Sequence, residues 1–246
     1  MLAEAPGLID DVERPQLAPV SRDNMQDRVY HAIRDSIMAG HIKPDGSITI
    51  RSIASAVGTS PMPVREALRR LVAEGALMLL PNRQLKVPPM SVERFNQLAK
   101  IRTVLEGLAV AEAAAKITPA VIDRLEKLDQ EMRRKRKPAD YFVLNREFHF
   151  LIYQTAEMNE LRSIVESLWL RVGPFFNLLT SDKHCKDFPD THRALIDALK
   201  ARDATAARKW IAEDISTFAA MISVSVARDS GLAVSAAERS VPGWMR

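Results

Sequence analysis

The sequence has little cysteine and glycine and no long hydrophobic run, and each shortage excludes a class of protein. A single cysteine, Cys185, rules out an intrachain disulfide and a zinc site made of clustered cysteines. No apolar run approaches the roughly 20 residues of a membrane span, and the first residues lack the basic and then apolar pattern of a signal peptide. With nine glycines there is also no glycine-rich loop that would bind a phosphate. We therefore expect a cytoplasmic protein that makes no membrane contact.

The chain has the composition of an ordinary globular protein, with a local excess of positive charge. Hydrophobic residues make up 47% of the 246 residues, which is enough for a sizeable core in one or two domains. The net charge is +4, and residues 22–88 supply it, because they hold ten Lys and Arg against six Asp and Glu. Attraction to phosphate would therefore be confined to the N-terminal part of the chain.

Residues 50–88 have the pattern of a winged helix-turn-helix. Two sets of apolar residues recur at helical spacing on either side of Gly58: Ile50, Ile53, Ala54 and Val57, then Val64, Ala67, Leu68 and Leu71. Pro61 fits only at the start of the second helix, and Gly75 ends it. Apolar residues on both sides of the turn-like segment 81–84 predict a small β-hairpin, which would be the wing.

The second of these helices carries the candidate DNA contacts. Its apolar stripe faces inward, so Arg65 and Arg69 point elsewhere, and Ser60 lies at its N-terminal end. In a helix-turn-helix the N-terminal residues of the second helix face base edges in the major groove, where arginine pairs bidentately with guanine. The alternative is that these arginines form a solvated helix face.

Changes in pattern divide the chain into four parts. Residues 1–21 carry three prolines and no helical stripe, so we expect a flexible arm. The winged helix-turn-helix domain spans 22–89 and begins with a helix at 24–39. Residues 90–228 show only helical patterns, which predicts an all-α bundle, and 229–246 form a polar tail. The fold is therefore predicted to be mainly α.

Six helices are expected in the bundle after a proline-containing joint at 87–91. Ser91, Asn159 and Asp203 are suited to cap helix N-termini, and Pro174 should kink the fourth helix. The six predicted helices span 92–116, 119–136, 140–156, 159–180, 189–201 and 203–228.

Three of these helices carry polar groups inside their apolar stripes. Asn145 and His149 are four residues apart and share a helix face, and His192 and Asp214 lie on two later stripes. A buried carboxylate is costly without a cation, a metal or a histidinium beside it. Two imidazoles, a carboxylate and an amide oxygen suit a divalent transition metal with open positions. Hydrogen-bonded core histidines with a His–Asp pair explain the same residues.

The N-terminal pattern resembles a known family. PVREALRRLVAEGAL, preceded by Arg51 and followed by PNRQLKV, is similar to the DNA-binding domain of the GntR family of bacterial transcription regulators. The resemblance implies that Arg51, Ser60 and Arg65 contact DNA and that Asn82 and Arg83 form the wing tip. The family often has arginine where this chain has Pro61, so one expected contact is missing.

The C-terminal pattern resembles the FCD ligand-binding domain of FadR-type GntR regulators, on the segments NREFHFL, THRALIDAL and DATAARKWIAED. Many such domains bind a metal through an Asp or Asn, a His four residues on, and two later His. Asn145, His149 and His192 match the first three positions, and Asp214 stands where the family has the fourth. Aspartate still binds metals. The resemblance therefore implies a metal site, with zinc, nickel and manganese all open.

The resemblance also implies an effector site. Arg102 matches an arginine that faces the cavity near the metal, and a guanidinium binds a carboxylate by two parallel hydrogen bonds. The alternative for Arg102 is an internal ion pair with Glu106 or a surface position. Trp169, Arg171 and Asn177 are further candidates to shape the pocket.

The sequence thus predicts a ligand-responsive transcription regulator, a repressor in most of the resembling family. It would bind a double-stranded DNA operator as a homodimer, since two half-sites multiply specificity, and a small carboxylate in its C-terminal bundle. The competing prediction is a metal-dependent hydrolase or lyase that uses His149, His192 and Asp214. Against it, the chain offers no spare general base and no nucleophile on an exposed turn. A third possibility is a structural bundle whose buried polar groups simply pair.

Overall fold

The computed structural model describes residues 25–44, 46, 48–81, 84–135, 138–179 and 190–229. Side chains at 138, 139, 177 and 227–229 lie outside this description. The predicted arm, wing tip and most of the predicted tail also fall outside it. Within the described residues, a small helical domain with a β-hairpin precedes a bundle of longer helices, so the predicted mainly α fold is confirmed.

The N-terminal domain contains three helices and a two-stranded hairpin. Helix α1 spans Met25–Met38, α2 spans Ile50–Ala56 and α3 spans Pro61–Ala73. Strand β1, Met78–Leu79, pairs antiparallel with β2, Leu85–Lys86. Helix α1 packs on α3, because Val29, Ile33 and Ile37 face Val64, Leu68 and Leu71 in a common core. This is the architecture of a winged helix-turn-helix.

Local chemistry explains the boundaries of the helix-turn-helix. The side chain of Thr49 accepts a hydrogen bond from the Ser52 amide and caps α2. Gly58 has a φ of 66° and turns the chain towards α3, whose first residue is Pro61. Gly75, with a φ of 71°, follows α3 and leads into the wing. Gly58, Pro61 and Gly75 have the functions that the sequence predicted, and the Thr49 cap is an addition from the structure.

Six helices and a 3₁₀ segment form the described part of the bundle. They are α4 at Val92–Lys116, α5 at Pro119–Arg134, α6 at Pro138–Thr155, α7 at Asn159–Val172, the 3₁₀ segment at Gly173–Leu179, α8 at Thr191–Lys200 and α9 at Ala204–Asp229. The long helices α4 and α9 pack along each other, α8 lies against α9, and α5 lies against α6. None of the helices in the described ranges is long and apolar enough to cross a membrane.

Two local predictions in the bundle are wrong. Asn159 is the first helical residue of α7 and not its cap, since the capping position is Met158, whose side chain makes no capping bond. Pro174 does not kink a longer helix, because α7 ends at Val172 and the chain continues as the 3₁₀ segment. A proline has no N–H for an α-helical hydrogen bond and clashes with the preceding turn, so ending the helix costs less than bending it. The predicted caps Ser91 and Asp203 are confirmed.

The N-terminal domain rests on the bundle through α1, which contacts α7 and the 3₁₀ segment. Arg34 of α1 forms an ion pair of 2.6 Å with Glu166 of α7, and Arg146 of α6 reaches Asp35 at 3.0 Å. Between these pairs Gly173 lies directly against α1: a Cβ atom there would be 2.6 Å from the carbonyl oxygen of Ile37. The lack of a side chain at Gly173 therefore allows the close approach of the two domains.

Candidate functional site

Three helices bring the predicted metal ligands together inside the bundle. His149 comes from α6, His192 from the first turn of α8 and Asp214 from α9, and all three side chains are buried. The Nε2 atom of His149 lies 3.3 Å from Asp214 Oδ2 and 3.3 Å from His192 Nε2. The Nε2 atom of His192 lies 3.6 Å from Asp214 Oδ1. Residues 22 to 65 positions apart in the sequence thus converge on one point.

Neighbouring side chains position this cluster. The hydroxyl of Thr191 donates a hydrogen bond of 2.7 Å to Asp214 Oδ1, which holds the carboxylate towards α8. Asn145 lies one helical turn before His149 and faces the same cavity. Its Oδ1 atom is buried and has no hydrogen-bond partner among the residues that the structure describes. A buried acceptor left unpaired is costly, so this oxygen is available to a ligand that enters the cavity.

Burial sets the charge state of the cluster. It lowers the pKa of His192 to about 4, because the protonated ring loses its hydration inside the bundle. Burial also raises the pKa of Asp214, but the positive charge of a protonated His192, the adjacent His149 ring and the hydrogen bond from Thr191 outweigh it and bring the pKa to about 2. A neutral imidazole and an ionised carboxylate are the forms that bind metal ions.

The separations between the donor atoms fit a single metal ion. Two donors that each lie about 2.1 Å from one ion, at angles between about 90° and 110°, are roughly 3.0 to 3.4 Å apart. The observed 3.3, 3.3 and 3.6 Å are close to that range. With the unpaired Asn145 oxygen beside them, these residues form a mixed nitrogen and oxygen donor set that suits a divalent transition metal.

Arg102 also lines this cavity. Its Nε donates to Glu106 Oε1 at 2.6 Å and its Nη2 to Glu106 Oε2 at 3.3 Å, so the predicted alternative of an internal ion pair is present. Burial lowers the pKa of Arg102, but the charge of Glu106 more than compensates and raises it above its usual value. The guanidinium also packs on the ring of Trp169, 4.8 Å from the ring centroid. Arg102 therefore both pairs with Glu106 and lines the cavity.

The cavity is small and partly aromatic. It is lined by Arg102, Asn145, His149, Trp169, Phe176, Asp214, Ile215 and Phe218. Its volume is ≈ 10 Å³, about the space of a single water molecule and far below that of an ordinary ligand pocket. Of the predicted effector contacts, Arg102 and Trp169 line it. Arg171 is half-buried and is not among the lining residues, and the side chain of Asn177 lies outside the described part of the structure.

Three further residues support the site, of which the sequence pointed only to Glu106, as a possible partner of Arg102. Glu106 is completely buried and accepts hydrogen bonds from Arg102, Trp169 and Tyr153. Tyr153, four residues after His149 on α6, places its hydroxyl 3.4 Å from His149 Nδ1. Thr191 binds Asp214, as described above. The spacing of Asn145, His149 and Tyr153 along one helix face was a usable signal for the tyrosine.

The predicted DNA contacts lie on the other domain and are exposed. Arg51 of α2, Ser60 before α3, and Arg65 and Arg69 on α3 all face solvent. The Ser60 side chain makes no capping bond to α3, and Arg69 pairs only with its neighbour Glu66, at 2.8 Å. Asn82 and Arg83, predicted at the wing tip, lie outside the described residues.

Arg70 differs from its neighbours on α3. Its guanidinium lies 3.8 Å from the centroid of the Tyr30 ring and forms an ion pair of 2.6 Å with Asp27. Both partners belong to α1, so Arg70 joins two helices within the domain. The arginines of α3 that remain free to reach DNA are therefore Arg65 and Arg69.

Comparison with known proteins gives matches over both parts of the chain. The family described as bacterial regulatory proteins, gntR family, matches residues 25–87, and the FCD domain matches residues 97–217. The HTH-type transcriptional regulator McbR of Escherichia coli K12 is 30% identical over 192 residues, which cover 76% of this chain and 87% of McbR. The HTH-type transcriptional repressor RspR of the same organism is 27% identical over 156 residues, or 62% of this chain and 68% of RspR.

Solved structures agree with these matches. The structure of E. coli McbR/YncC superimposes with a TM-score of 0.76 at 28% sequence identity, and covers 82% of this chain and 98% of that one. The matched relatives are transcription regulators, which gives no support to the competing prediction of a hydrolase or lyase.

Proposed function

Because this chain belongs to the GntR family of bacterial transcription regulators and carries an FCD domain, we propose that it is a metal-containing repressor that responds to a small carboxylate. It is a DNA-binding regulator and not an enzyme. The observation that carries the proposal is the buried cluster of His149, His192 and Asp214, whose donor atoms all lie within 4.8 Å of one another beside a cavity.

Three features support a bound metal. The donor atoms have the separations that one ion requires. Burial keeps His192 neutral, with its pKa at about 4, so the ring is ready to bind a metal. The unpaired oxygen of Asn145 supplies a further donor. Such a set suits zinc, nickel or manganese, and the metal when bound would supply an electrophilic centre that attracts a carboxylate.

The effector class follows from the charge and size of the cavity. Arg102 lines the cavity next to the metal-binding cluster, and its charge is already balanced by Glu106. A divalent ion with the single charge of Asp214 leaves one positive charge, which favours an anion as the ligand. The cavity volume of ≈ 10 Å³ has room for about one water molecule, so the anion must be a small carboxylate that displaces lining side chains as it enters.

An apolar stripe on α4 supports a homodimer. Ile101 and Val104 are exposed, at 48% and 70%, and Leu105 and Leu108 beside them are half-buried. Their spacing puts all four on one face of the helix. Exposed apolar stripes of this kind mark protein interfaces. Val104→Glu should therefore convert a dimer into a monomer in analytical ultracentrifugation, and an unchanged dimer would place the interface elsewhere.

Contacts between the domains suggest how the cavity would influence DNA binding. Trp169 and Phe176 line the cavity, and they flank the point where Gly173 touches α1. A ligand that moves these aromatic side chains would shift the position of α1 and thus of α3, which packs on it. For the shift to release DNA, the effector must bind one arrangement better than the other.

Elemental analysis of the purified protein tests the metal site. We expect about one transition metal per chain in the wild type and none in His149→Ala. Arg124→Ala, which breaks an exposed ion pair with Glu147 on the bundle surface, serves as the matched control and should keep the metal. A wild-type protein that holds no metal after incubation with zinc, nickel or manganese would contradict the proposal.

Operator binding tests the DNA-binding face. A binding sequence is first selected with the wild-type protein from a random pool of double-stranded DNA. Arg65→Ala should then lose about 5- to 150-fold in affinity, since a bidentate arginine–guanine contact contributes about 1 to 3 kcal/mol. Arg208→Ala, which removes the same charge from the exposed surface of α9, should bind as the wild type does. Equal losses in both variants would indicate a general charge effect.

A further inference from the structure

Behind the metal-binding cluster lies a second buried polar group, formed by Glu106, Arg102, Trp169 and Tyr153. Glu106 of α4 is 0% exposed and stands between α6 and α7. It accepts hydrogen bonds from Arg102 Nε at 2.6 Å, from Arg102 Nη2 at 3.3 Å and from Trp169 Nε1 at 3.1 Å. The fourth donor is the hydroxyl of Tyr153, which makes a very short contact with Glu106 Oε2.

The direction of these hydrogen bonds is fixed by chemistry. Glu106 is ionised because it forms a bidentate ion pair with Arg102, and an ionised carboxylate only accepts. Tyr153 has a single hydroxyl proton and must therefore donate it to Glu106. Its oxygen then faces His149 Nδ1, 3.4 Å away, with only lone pairs to offer. A stable contact between these two atoms requires a proton on Nδ1.

A neutral imidazole carries one N–H, so a proton on Nδ1 leaves Nε2 without one. The Nε2 atom of His149 is the atom that faces Asp214 and His192 at 3.3 Å. We propose that Glu106 and Tyr153 act together as positioning residues that fix the tautomer of His149 and aim its Nε2 lone pair into the cavity. The resulting effect on metal affinity rests on the proposed function, whereas the tautomer itself does not.

The hydrogen-bond chain from Glu106 through Tyr153 to His149, called the relay below, has a consequence for the cluster when no metal is bound. A lone pair on His149 Nε2 and the carboxylate of Asp214 repel each other at 3.3 Å unless a donor or a cation lies between them. The N–H of His192 is the available donor when no metal is present, at 3.3 Å from His149 Nε2. With a divalent ion bound, His192 would carry its one N–H proton on Nδ1 and offer the Nε2 lone pair, so that one ion would satisfy all three groups together. The relay thus keeps the Nε2 lone pair of His149 directed into the cavity before a metal is bound.

The first test observes the tautomer without any metal. Protein labelled with ¹⁵N in its histidine rings and treated with chelator is examined at neutral pH by long-range ¹H–¹⁵N NMR, with His149→Ala to assign the signals. We expect His149 to show a protonated Nδ1 and an unprotonated Nε2. A proton on Nε2, or on both nitrogens, would overturn the proposal.

The second test removes the hydroxyl with Tyr153→Phe and measures zinc affinity by competition with a chromogenic chelator. We expect the same zinc stoichiometry with about 10- to 100-fold weaker binding, the range seen when the hydrogen-bond partner of a metal ligand is lost. The NMR signal should change to include the form protonated on Nε2, since that proton has Asp214 to bind. Unchanged tautomer and unchanged affinity would overturn the relay.

A matched tyrosine gives the control. Tyr30 is also buried and also donates its hydroxyl to a glutamate, Glu74 at 2.6 Å, but it belongs to the DNA-binding domain. Tyr30→Phe should leave zinc affinity and the His149 signals unchanged, and an equal loss in both variants would show a general effect of instability. If the wild type binds no zinc, the proposed metal site fails, and the NMR result still decides the relay by itself.

Discussion

The exposed face of α3 and the buried cluster of α6, α8 and α9 both present functional polar groups, but for opposite physical reasons. Arg65 and Arg69 remain in water and are held only by the helix that carries them. His149, His192 and Asp214 have left water and depend on one another. A substitution on the α3 face should therefore affect DNA binding alone. A substitution in the buried cluster should also lower the free energy of unfolding.

The largest loss of stability is expected for Glu106→Ala, which tests this difference between the two regions. The substitution leaves the buried guanidinium of Arg102 without its partner and removes the acceptor of Tyr153 and Trp169. Breaking one side of a buried ion pair costs about 3 to 5 kcal/mol. We expect a loss of that size in the free energy of unfolding, measured by urea denaturation.

A double variant separates the charge from the packing. Arg102→Met combined with Glu106→Leu removes both charges, and such replacements recover much of the stability of a broken pair. It should therefore be more stable than Glu106→Ala. A Glu106→Ala protein that lost less than about 1 kcal/mol would mean that water reaches Arg102, and the contrast between the two regions would be weaker than the structure indicates.

The second prediction concerns pH. Burial lowers the pKa of His192 to about 4, from 6.5 in an unfolded chain. As the pH falls through 6.5 the unfolded chain takes up this proton first, so stability that is complete above pH 6.5 is lost as the pH approaches 4. The shift corresponds to at most about 3 kcal/mol.

Unfolding of chelator-treated protein between pH 7 and 4 measures this loss. The wild type should lose more stability over the interval than His192→Gln, which has no imidazole to protonate. His31→Gln, on the exposed side of α1, serves as the control and should follow the wild type. If all three proteins have the same pH dependence, His192 is hydrated and the cluster is more open than described.

The third prediction tests the contact between the domains. A Cβ atom at residue 173 would lie 2.6 Å from the Ile37 carbonyl oxygen and 2.8 Å from Met38 Cα, and backbone atoms cannot move aside easily. Gly173→Ala should therefore destabilise the protein by about 1 to 3 kcal/mol, the usual cost of overpacking, in urea denaturation. It should also weaken the response of DNA binding to the effector.

Gly107 provides the matched glycine. It lies inside α4, and the nearest atom to a Cβ there is Arg208 Cγ at 4.0 Å. Gly107→Ala should be neutral or stabilising by up to about 1 kcal/mol, because alanine favours a helix more than glycine does. Destabilisation in both variants would point to backbone conformation and not to the contact with α1.

Much of the fold could be predicted because local patterns specify it. Helix α4 begins and ends at the residues predicted, and Ser91, Gly58 and Pro61 have the functions expected of them. The end of α7 at Val172 was missed. Pro174 marked the place, but a proline can either kink or end a helix. The close approach of Gly173 to α1 is a contact between segments that no local pattern contains.

The candidate site could likewise be predicted where local patterns mark it, but not where it depends on packing. His149, His192 and Asp214 were recognisable because each is a polar residue in an apolar stripe, and the structure brings them together. Arg171, which was predicted to shape the pocket, does not line the cavity. The contact of Tyr153 with Glu106 joins residues 47 positions apart, so only the packing of α4 against α6 reveals it.

The smallest effect on stability is expected at Arg69. Its side chain is 69% exposed and pairs only with Glu66, so Arg69→Ala should change the free energy of unfolding by less than about 0.5 kcal/mol. Its neighbour Arg70 packs on Tyr30 and pairs with Asp27, so Arg70→Ala should cost about 1 kcal/mol.

For affinity towards the selected DNA we expect the reverse order, with a larger effect from Arg69→Ala than from Arg70→Ala. If Arg69 contacts a phosphate, Arg69→Ala should weaken binding and reduce the slope of log affinity against log salt by about 1. Arg70→Ala should leave that slope unchanged, because its charge is already engaged within the domain. A salt slope that fell equally in both variants would mean that the two adjacent arginines approach DNA alike. Exposure and internal pairing would then not distinguish a binding residue from a structural one on this helix.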